Sequence, residues 1–177
     1  MTDLRYPIGK FTPPAEYTPA FRSAAIDEVA LAPSRIEAAV KGLTREQMLT
    51  PYRDGGWTVA QVVHHLADSH ANAYMRFKLG LTETDPAIRP YDENAWANLP
   101  DGMDADVTTS LEIFRALQSR MRTMLARMTP DEFERSIFHP EHKRTMTLDR
   151  LLAIYAWHGR HHAAHVTALR ERMGWDA

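Results

Sequence analysis

The chain has 177 residues, a formal net charge of −2 and no cysteine. This length suits one domain with a substantial core, and so weak a charge provides no basic field to bind nucleic acid or an anionic membrane. The absence of cysteine excludes disulfides, thiolate ligands and a cysteine nucleophile, so imidazole and carboxylate are the ligands available to a metal.

The first half of the chain contains two predicted long helices. Prolines recur through residues 1–19, which we expect to form an extended arm. Helix-forming residues then run from Ala20 to Val40, with Pro33 as a predicted kink or break. Thr58 is placed to cap a second helix that extends to about Leu81.

The second half adds two more long helices and a long connection. Residues 82–102 form a predicted loop, and loops of this length are often functional, so it either covers a site or packs the end of the fold. A third helix is predicted over 104–128, and a short hairpin or loop over 136–146 with His139 and His142 at the surface. Thr147 caps the last helix, which Gly174 ends.

Four long helices with apolar faces predict an all-α four-helix bundle, in which residues 1–177 form a single domain and 1–19 its arm. No run of about 18 apolar residues occurs, and residues 1–7 lack the charged and then apolar pattern of a secretion signal. We therefore expect a soluble, cytoplasmic protein.

The last predicted helix carries an unusual stripe of histidines. His158 and His162 are one helical turn apart, and with His165 they occupy positions where a helix would otherwise present apolar residues to the core. Several buried imidazole rings cannot all satisfy one another, whereas a cation can bind two nitrogens from one helix. The pattern predicts a metal site that includes His158 and His162, although a single such histidine would usually be a hydrogen-bonded core residue.

A third ligand must come from another element, and the second predicted helix carries the candidates. On its apolar face His70 lies near the centre and His65 toward the edge, whereas His64 falls on the far side. An edge position can still face the interior of a bundle, because each helix contacts two neighbours. Helical periodicity therefore excludes His64 and leaves His65 and His70 as alternatives.

These motifs resemble a known family. Residues 5–10 (RYPIGK), 56–70 (GWTVAQVVHHLADSH), 76–79 (RFKL), 90–93 (PYDE) and 155–165 (YAWHGRHHAAH) are similar to the YfiT group of the DinB-like superfamily. The resemblance implies an up-down-down-up four-helix bundle, commonly a homodimer, that binds one divalent metal, zinc or nickel, through three histidines and solvent. Carried over by position, the ligands are His65, His158 and His162.

The chemistry that the resemblance implies has three alternatives. Three neutral nitrogens with an open position would let a metal activate water against an ester, amide or epoxide, as in a metal-dependent hydrolase. The same position could instead bind a low-molecular-weight thiol such as bacillithiol or mycothiol, as in a thiol S-transferase acting on electrophiles. The third alternative is a metal-binding stress protein without turnover. The sequence contains no Glu-x-x-His, which argues against a di-iron bundle.

Two further residues are candidates for proton transfer. Asp68 lies three residues after His65, where it would orient a ligand or act as a base, or else remain a solvated carboxylate of the helix. His165 shares the inward stripe with His158 and His162, so we expect it near the site as a proton shuttle or hydrogen-bond partner.

Overall fold

The computed structural model describes residues 3–175, and its helices and strands follow in chain order. They are α1 (Pro19–Val40), α2 (Arg45–Met48), α3 (Val59–Thr82), α4 (Glu93–Ala97), α5 (Thr108–Leu125), α6 (Pro130–Glu134), β1 (Ser136–His139), β2 (Arg144–Thr147) and α7 (Leu148–Met173). The four long helices α1, α3, α5 and α7 form a four-helix bundle, which confirms the predicted fold class.

Side-chain contacts at both ends of α1 and α7 show that these two helices run parallel. Near their first turns, Arg22 donates to both carboxylate oxygens of Asp149, at 2.8 and 2.6 Å. Near their last turns, Arg170 donates to the carbonyl oxygen of Ala39 at 2.9 Å. The ion pair is almost fully buried, with 13% and 4% of the two side chains exposed, so it also fixes which faces of the two helices meet.

The other two helices run in the opposite direction. Near the end of α3, Arg76 donates to the hydroxyl of Tyr155 in the first half of α7, so α3 is antiparallel to α7. The first halves of α3 and α5 lie side by side, because His64 bonds to Ser110. In chain order the four long helices therefore run up, down, down and up, as the resemblance implied.

The predicted helix boundaries agree with the caps that form. Thr58 makes a capping box with Gln61 at the start of α3, and Gly174 ends α7 in the left-handed conformation at φ 66°. α1 continues through Pro33, whose side chain is buried, so no break forms there. α5 begins later than predicted because Asp104 and Asp106 accept hydrogen bonds from the backbone and hold 104–107 in turns.

The bundle interior has two apolar clusters with histidines between them. One cluster surrounds Leu66 and Phe114, and the other surrounds Phe77 and Leu152. His70 on α3 and His161 and His162 on α7 lie between these clusters, whereas the other buried histidines of the two helices are interleaved with the first cluster. Among residues 3–175, the model has no helix that is both long and apolar enough to span a membrane.

The predicted hairpin forms and holds part of the long loop. Strands β1 and β2 pair antiparallel, with Ser136 opposite Thr147 and His139 opposite Arg144. The loop joins β1 through two backbone hydrogen bonds, both to Phe138. The loop and the hairpin thereby become a wall beside α3 and α7.

Candidate metal centre

Three histidines from two helices meet inside the bundle. His65 on α3 and His158 and His162 on α7 each offer a ring nitrogen within 4.8 Å of the others. The Nε2 atoms of His65 and His158 are 3.3 Å apart, and the rings of His158 and His162 lie 4.5 Å apart between centroids. We call these residues the histidine triad.

The antiparallel packing of α3 on α7 distinguishes the two candidates that periodicity left open. His65 points its Nε2 atom toward the triad, whereas His70 lies behind His158, with its Nε2 atom 3.4 Å from Nδ1 of that ring. His64 is buried against α5, where it contacts Ser110 and the backbone oxygen of Asp104. The structure therefore brings His65 to the triad and separates His64 from it.

The triad is buried enough to keep its rings neutral. Only 4% of His65 and 8% of His162 are exposed. Desolvation lowers the pKa of His65 to about 4, and desolvation together with neighbouring histidines lowers the pKa of His158 and His162 well below the usual value. Neutral imidazole is the form that ligates a metal, because its unprotonated nitrogen keeps a lone pair.

The residues present fit a divalent cation. Three neutral nitrogens converge, and the Nδ1 atom of His162 is buried with no hydrogen-bond partner in the part of the chain that the structure describes. A buried polar atom without a partner is unfavourable, and binding of a cation through this nitrogen would satisfy it. Three protein nitrogens leave coordination positions open, as in catalytic zinc sites.

The N-terminal arm contributes to the site, which the sequence did not predict. The carbonyl oxygen of Arg5 accepts a hydrogen bond from Nε2 of His165 at 3.2 Å. His165 also stacks on Tyr52, with ring centroids 4.1 Å apart, and its ring lies 5.3 Å from that of His162. Because Nε2 donates to a carbonyl, Nδ1 of His165 is left unprotonated, and it has no partner among the described residues.

Asp68, the other candidate for proton transfer, faces away from the triad. Burial and the nearby Asp101 raise the pKa of its carboxyl group, and His64 opposes that shift. These neighbours lie on the side of α3 that packs toward α5. Asp68 does not line either of the cavities beside the triad.

Two cavities meet at the triad. A cavity of about 660 Å³ is lined by all three triad histidines, by Trp57 and by the arm. A second cavity of about 840 Å³ reaches His158 from the other side and extends to the hairpin. Glu93 and Asn94, from the predicted functional loop, line both cavities. The loop therefore forms part of the wall of the site.

A second group of possible ligands lies on the hairpin. His139, Glu141 and His142 have ligand atoms within 4.8 Å of one another and line the larger cavity. The prediction that His139 is a surface residue is wrong: on β1 it lies on the opposite face from the exposed Phe138, and only 7% of it is exposed. Glu141 and His142 are exposed, as predicted for His142. We call this set the hairpin group.

A four-helix bundle with a three-histidine group between two antiparallel helices is the arrangement that the resemblance implied, and comparison with known proteins establishes the family. Residues 28–166 match the DinB superfamily, and the chain belongs to it. It is 47% identical over 174 residues to the Bacillus subtilis protein named "Putative metal-dependent hydrolase YfiT", with 98% of each chain covered.

Other known proteins match this chain with similar identity and coverage. A Bacillus mycoides protein with the same hydrolase designation is 47% identical over 175 residues, covering 99% of this chain and all of the other. The solved structure of B. subtilis YfiT has a TM-score of 0.96 at 47% identity and covers 99% of this chain. That protein is described as "a probable metal-dependent hydrolase with an unusual four-helix bundle topology". The resemblance to the YfiT group is thereby confirmed over nearly the whole chain.

Proposed function

We propose that this protein is a metal-dependent hydrolase that holds one divalent cation, zinc or nickel, through His65, His158 and His162. The observation that carries the proposal is the convergence of three neutral imidazoles, two of them buried and that of His158 half-buried, at the wall of a cavity. A divalent cation bound by three neutral nitrogens supplies Lewis-acid chemistry, which activates water and polarises the bond to be broken. An ester, amide or epoxide is the corresponding substrate class.

The chain supplies a proton acceptor beside the triad. His165 keeps its proton on Nε2, where the Arg5 carbonyl accepts it, and leaves Nδ1 unprotonated. Burial lowers the pKa of His165, so the ring is neutral at pH 7 and available to accept a proton released by attacking water. We therefore favour His165 over Asp68 as the candidate general base.

The cavity walls restrict water and orient the substrate. Trp57 donates from its indole nitrogen to Asn94 at 3.1 Å, and its ring lies 4.6 Å from that of His65. This contact ties the loop to the start of α3 beside the triad. An apolar substrate group would pack on the indole, with its reacting bond toward the histidines.

The direct test is hydrolysis by protein with a known metal content. Chelator-treated protein reloaded with zinc or nickel is incubated with chromogenic esters and with amides, and His162→Ala is treated in parallel. We expect turnover that requires the metal and is lost in the variant, while Arg127→Ala, at an exposed position away from both cavities, retains it. Equal turnover by His162→Ala, or none by fully loaded protein, would contradict hydrolysis at this site.

A second candidate function is favoured by the two cavities. Volumes of about 840 and 660 Å³ both fall within the range of small-molecule sites, and the two cavities share His158 as a wall residue. Hydrolysis needs only one organic substrate, whereas transfer of a thiol to an electrophile needs two. A low-molecular-weight thiol in one cavity and an electrophile in the other would meet at the triad.

Monochlorobimane distinguishes the two functions, because its carbon–chlorine bond is replaced by a sulfur–carbon bond when a thiol attacks. Loaded protein is incubated with it and with bacillithiol, mycothiol, glutathione or coenzyme A in turn. Metal-dependent conjugation of one thiol would establish the transferase, and chloride and the thiol proton would be released. If neither conjugation nor hydrolysis occurs with the metal bound, the protein is a binding protein without turnover.

A further inference from the structure

Behind the triad lie two polar side chains that the proposed reaction does not use. His70 is fully buried and Gln118 is 2% exposed. Buried polar groups of this kind are unfavourable unless they hydrogen-bond, and these two bond to each other and to His158. They form a chain of hydrogen bonds that ends at the triad.

This chain of hydrogen bonds runs without a break from α5 to α3, then to α7 and back to α3. The amide nitrogen of Gln118 contacts Nδ1 of His70, whose Nε2 atom lies 3.4 Å from Nδ1 of His158. On its other side, Nε2 of His158 lies 3.3 Å from Nε2 of His65. The edges of Phe114 and Tyr155 pack against the His70 ring at centroid distances of 4.8 and 4.9 Å and restrict its rotation.

The direction of each hydrogen bond determines which nitrogen of the next ring carries the proton. A neutral imidazole carries one N–H and one lone pair, so its two nitrogens have opposite roles. With the amide nitrogen of Gln118 donating to His70, His70 must donate from Nε2 to Nδ1 of His158. His158 then carries its proton on Nε2 and donates it to His65, which leaves no lone pair of His158 facing the triad.

For His158 to bind a metal through Nε2, these hydrogen bonds must run in the opposite direction. The Gln118 amide allows this, because its oxygen can accept a hydrogen bond. We propose that His70 and Gln118 are positioning residues that reverse this hydrogen-bond chain when His158 ligates a divalent cation. His158 then donates from Nδ1 to Nε2 of His70, and His70 donates from Nδ1 to the oxygen of Gln118 after its amide rotates by half a turn. Each imidazole carries one proton in both arrangements, so the buried pair never becomes charged.

The proposal rests on the metal site of the proposed function and is independent of the reaction. It differs from a merely structural role, because an apolar pair of similar shape would fill the same space but could not specify which nitrogen of His158 is protonated. Partners of this kind, beyond the ligands themselves, typically change metal affinity 10- to 100-fold when they are removed. The protonated nitrogen of each ring is therefore the decisive observable.

Long-range proton–nitrogen NMR correlation of the histidine rings measures this directly in the wild-type chain. Spectra are recorded for metal-free protein and for protein with one equivalent of Zn²⁺. We expect the proton of both His70 and His158 to move from Nε2 to Nδ1. His64 is the internal control, because its Nε2 atom donates to the Asp104 carbonyl at 3.0 Å and should keep its proton in both states.

An unchanged protonated nitrogen on His70 with zinc bound would overturn the proposal. Absence of zinc from dialysed protein would instead overturn the metal site beneath it, so the two failures are distinguishable. A change at His64 equal to that at His70 would point to a general rearrangement and would also contradict the proposal.

Two substitutions at one position provide a second test. Gln118→Met keeps the length of the side chain but removes the acceptor, and we expect the dissociation constant for Zn²⁺ to rise about 10- to 100-fold. Gln118→Glu keeps an acceptor oxygen whether its carboxyl group is protonated or ionised, so its affinity for Zn²⁺ should fall less than that of Gln118→Met. Equal weakening in both variants, each shown to be folded by circular dichroism, would contradict the role of the acceptor.

Discussion

The histidine triad and the hairpin group both bring three possible ligands within 4.8 Å of one another, yet their surroundings differ. The triad comes from two long helices, is largely buried and has His70 and Gln118 behind it. The hairpin group lies within four residues of one turn, and two of its members are exposed. Proximity is therefore a weak criterion for a metal centre, and rigid support with controlled protonation is a stronger one.

The largest difference between the two groups should appear in bound metal. His158→Ala or His162→Ala should abolish the single tightly held cation, because each removes one of three nitrogen ligands. His142→Ala, in the hairpin group, should leave the metal content unchanged. Elemental analysis after dialysis measures both. One tightly held metal per chain in both triad variants would overturn the assignment.

Substitutions in the same two regions should change the free energy of unfolding by different amounts. Phe114 is fully buried and supports His70, so Phe114→Ala should lower the free energy of unfolding by about 3–5 kcal/mol. Phe138 on the hairpin is 37% exposed, and Phe138→Ala should cost roughly 1 kcal/mol or less. Urea denaturation measures both values. A loss at Phe138 as large as that at Phe114 would show that the hairpin is part of the cooperative core.

The stability of the metal-free protein should fall as the pH falls. Burial lowers the pKa of His65 to about 4 and that of His70 to about 3, so below pH 6.5 the unfolded chain binds protons that the folded chain does not. The free energy of unfolding has its full value above pH 6.5. It falls as the pH is lowered from 6.5 to about 4, by up to about 1.4 kcal/mol per pH unit for each histidine. Urea denaturation at pH 7.5 and pH 5 tests the sign, and a metal-free protein that is equally stable at both would contradict the burial of neutral rings.

A further, moderate effect concerns the packing of α1 on α7 beside the triad. A Cβ atom added at Gly159 would lie 2.6 Å from that of Ala32, so α1 and α7 pack tightly beside His158. Gly159→Ala should destabilise the protein by roughly 1–3 kcal/mol through overpacking. It should also weaken zinc binding by moving His158. Thermal unfolding and zinc titration check the two parts, and an unchanged melting temperature would contradict the close approach.

The sequence predicted the parts of the site that depend on helical period. His158 and His162 lie one turn apart on an inward stripe, and the four long helices, the hairpin and the cap at Thr58 all form. Periodicity gives the direction of a side chain but not its depth. It therefore could not choose between His65 and His70, both of which face the interior, whereas only His65 joins the group of converging ring nitrogens and His70 contacts His158 from behind.

The local sequence pattern could not predict contacts between segments that are distant along the chain. The prolines predicted that the arm is not helical, but no periodic signal indicated that the Arg5 carbonyl would fix the proton of His165. His139 was predicted at the surface because it sits in a turn-like segment, but it belongs to β1 and lies on the buried face of that strand. Such contacts arise only when the bundle brings the segments together.

Anomalous X-ray diffraction from crystals grown with zinc or nickel tests the central claim most directly. Data collected on both sides of the absorption edge of the metal locate it independently of any assumed ligand. We expect one strong peak per chain, bounded by His65, His158 and His162. A peak only at His139, Glu141 and His142, or no peak in protein that retains metal after dialysis, would contradict it.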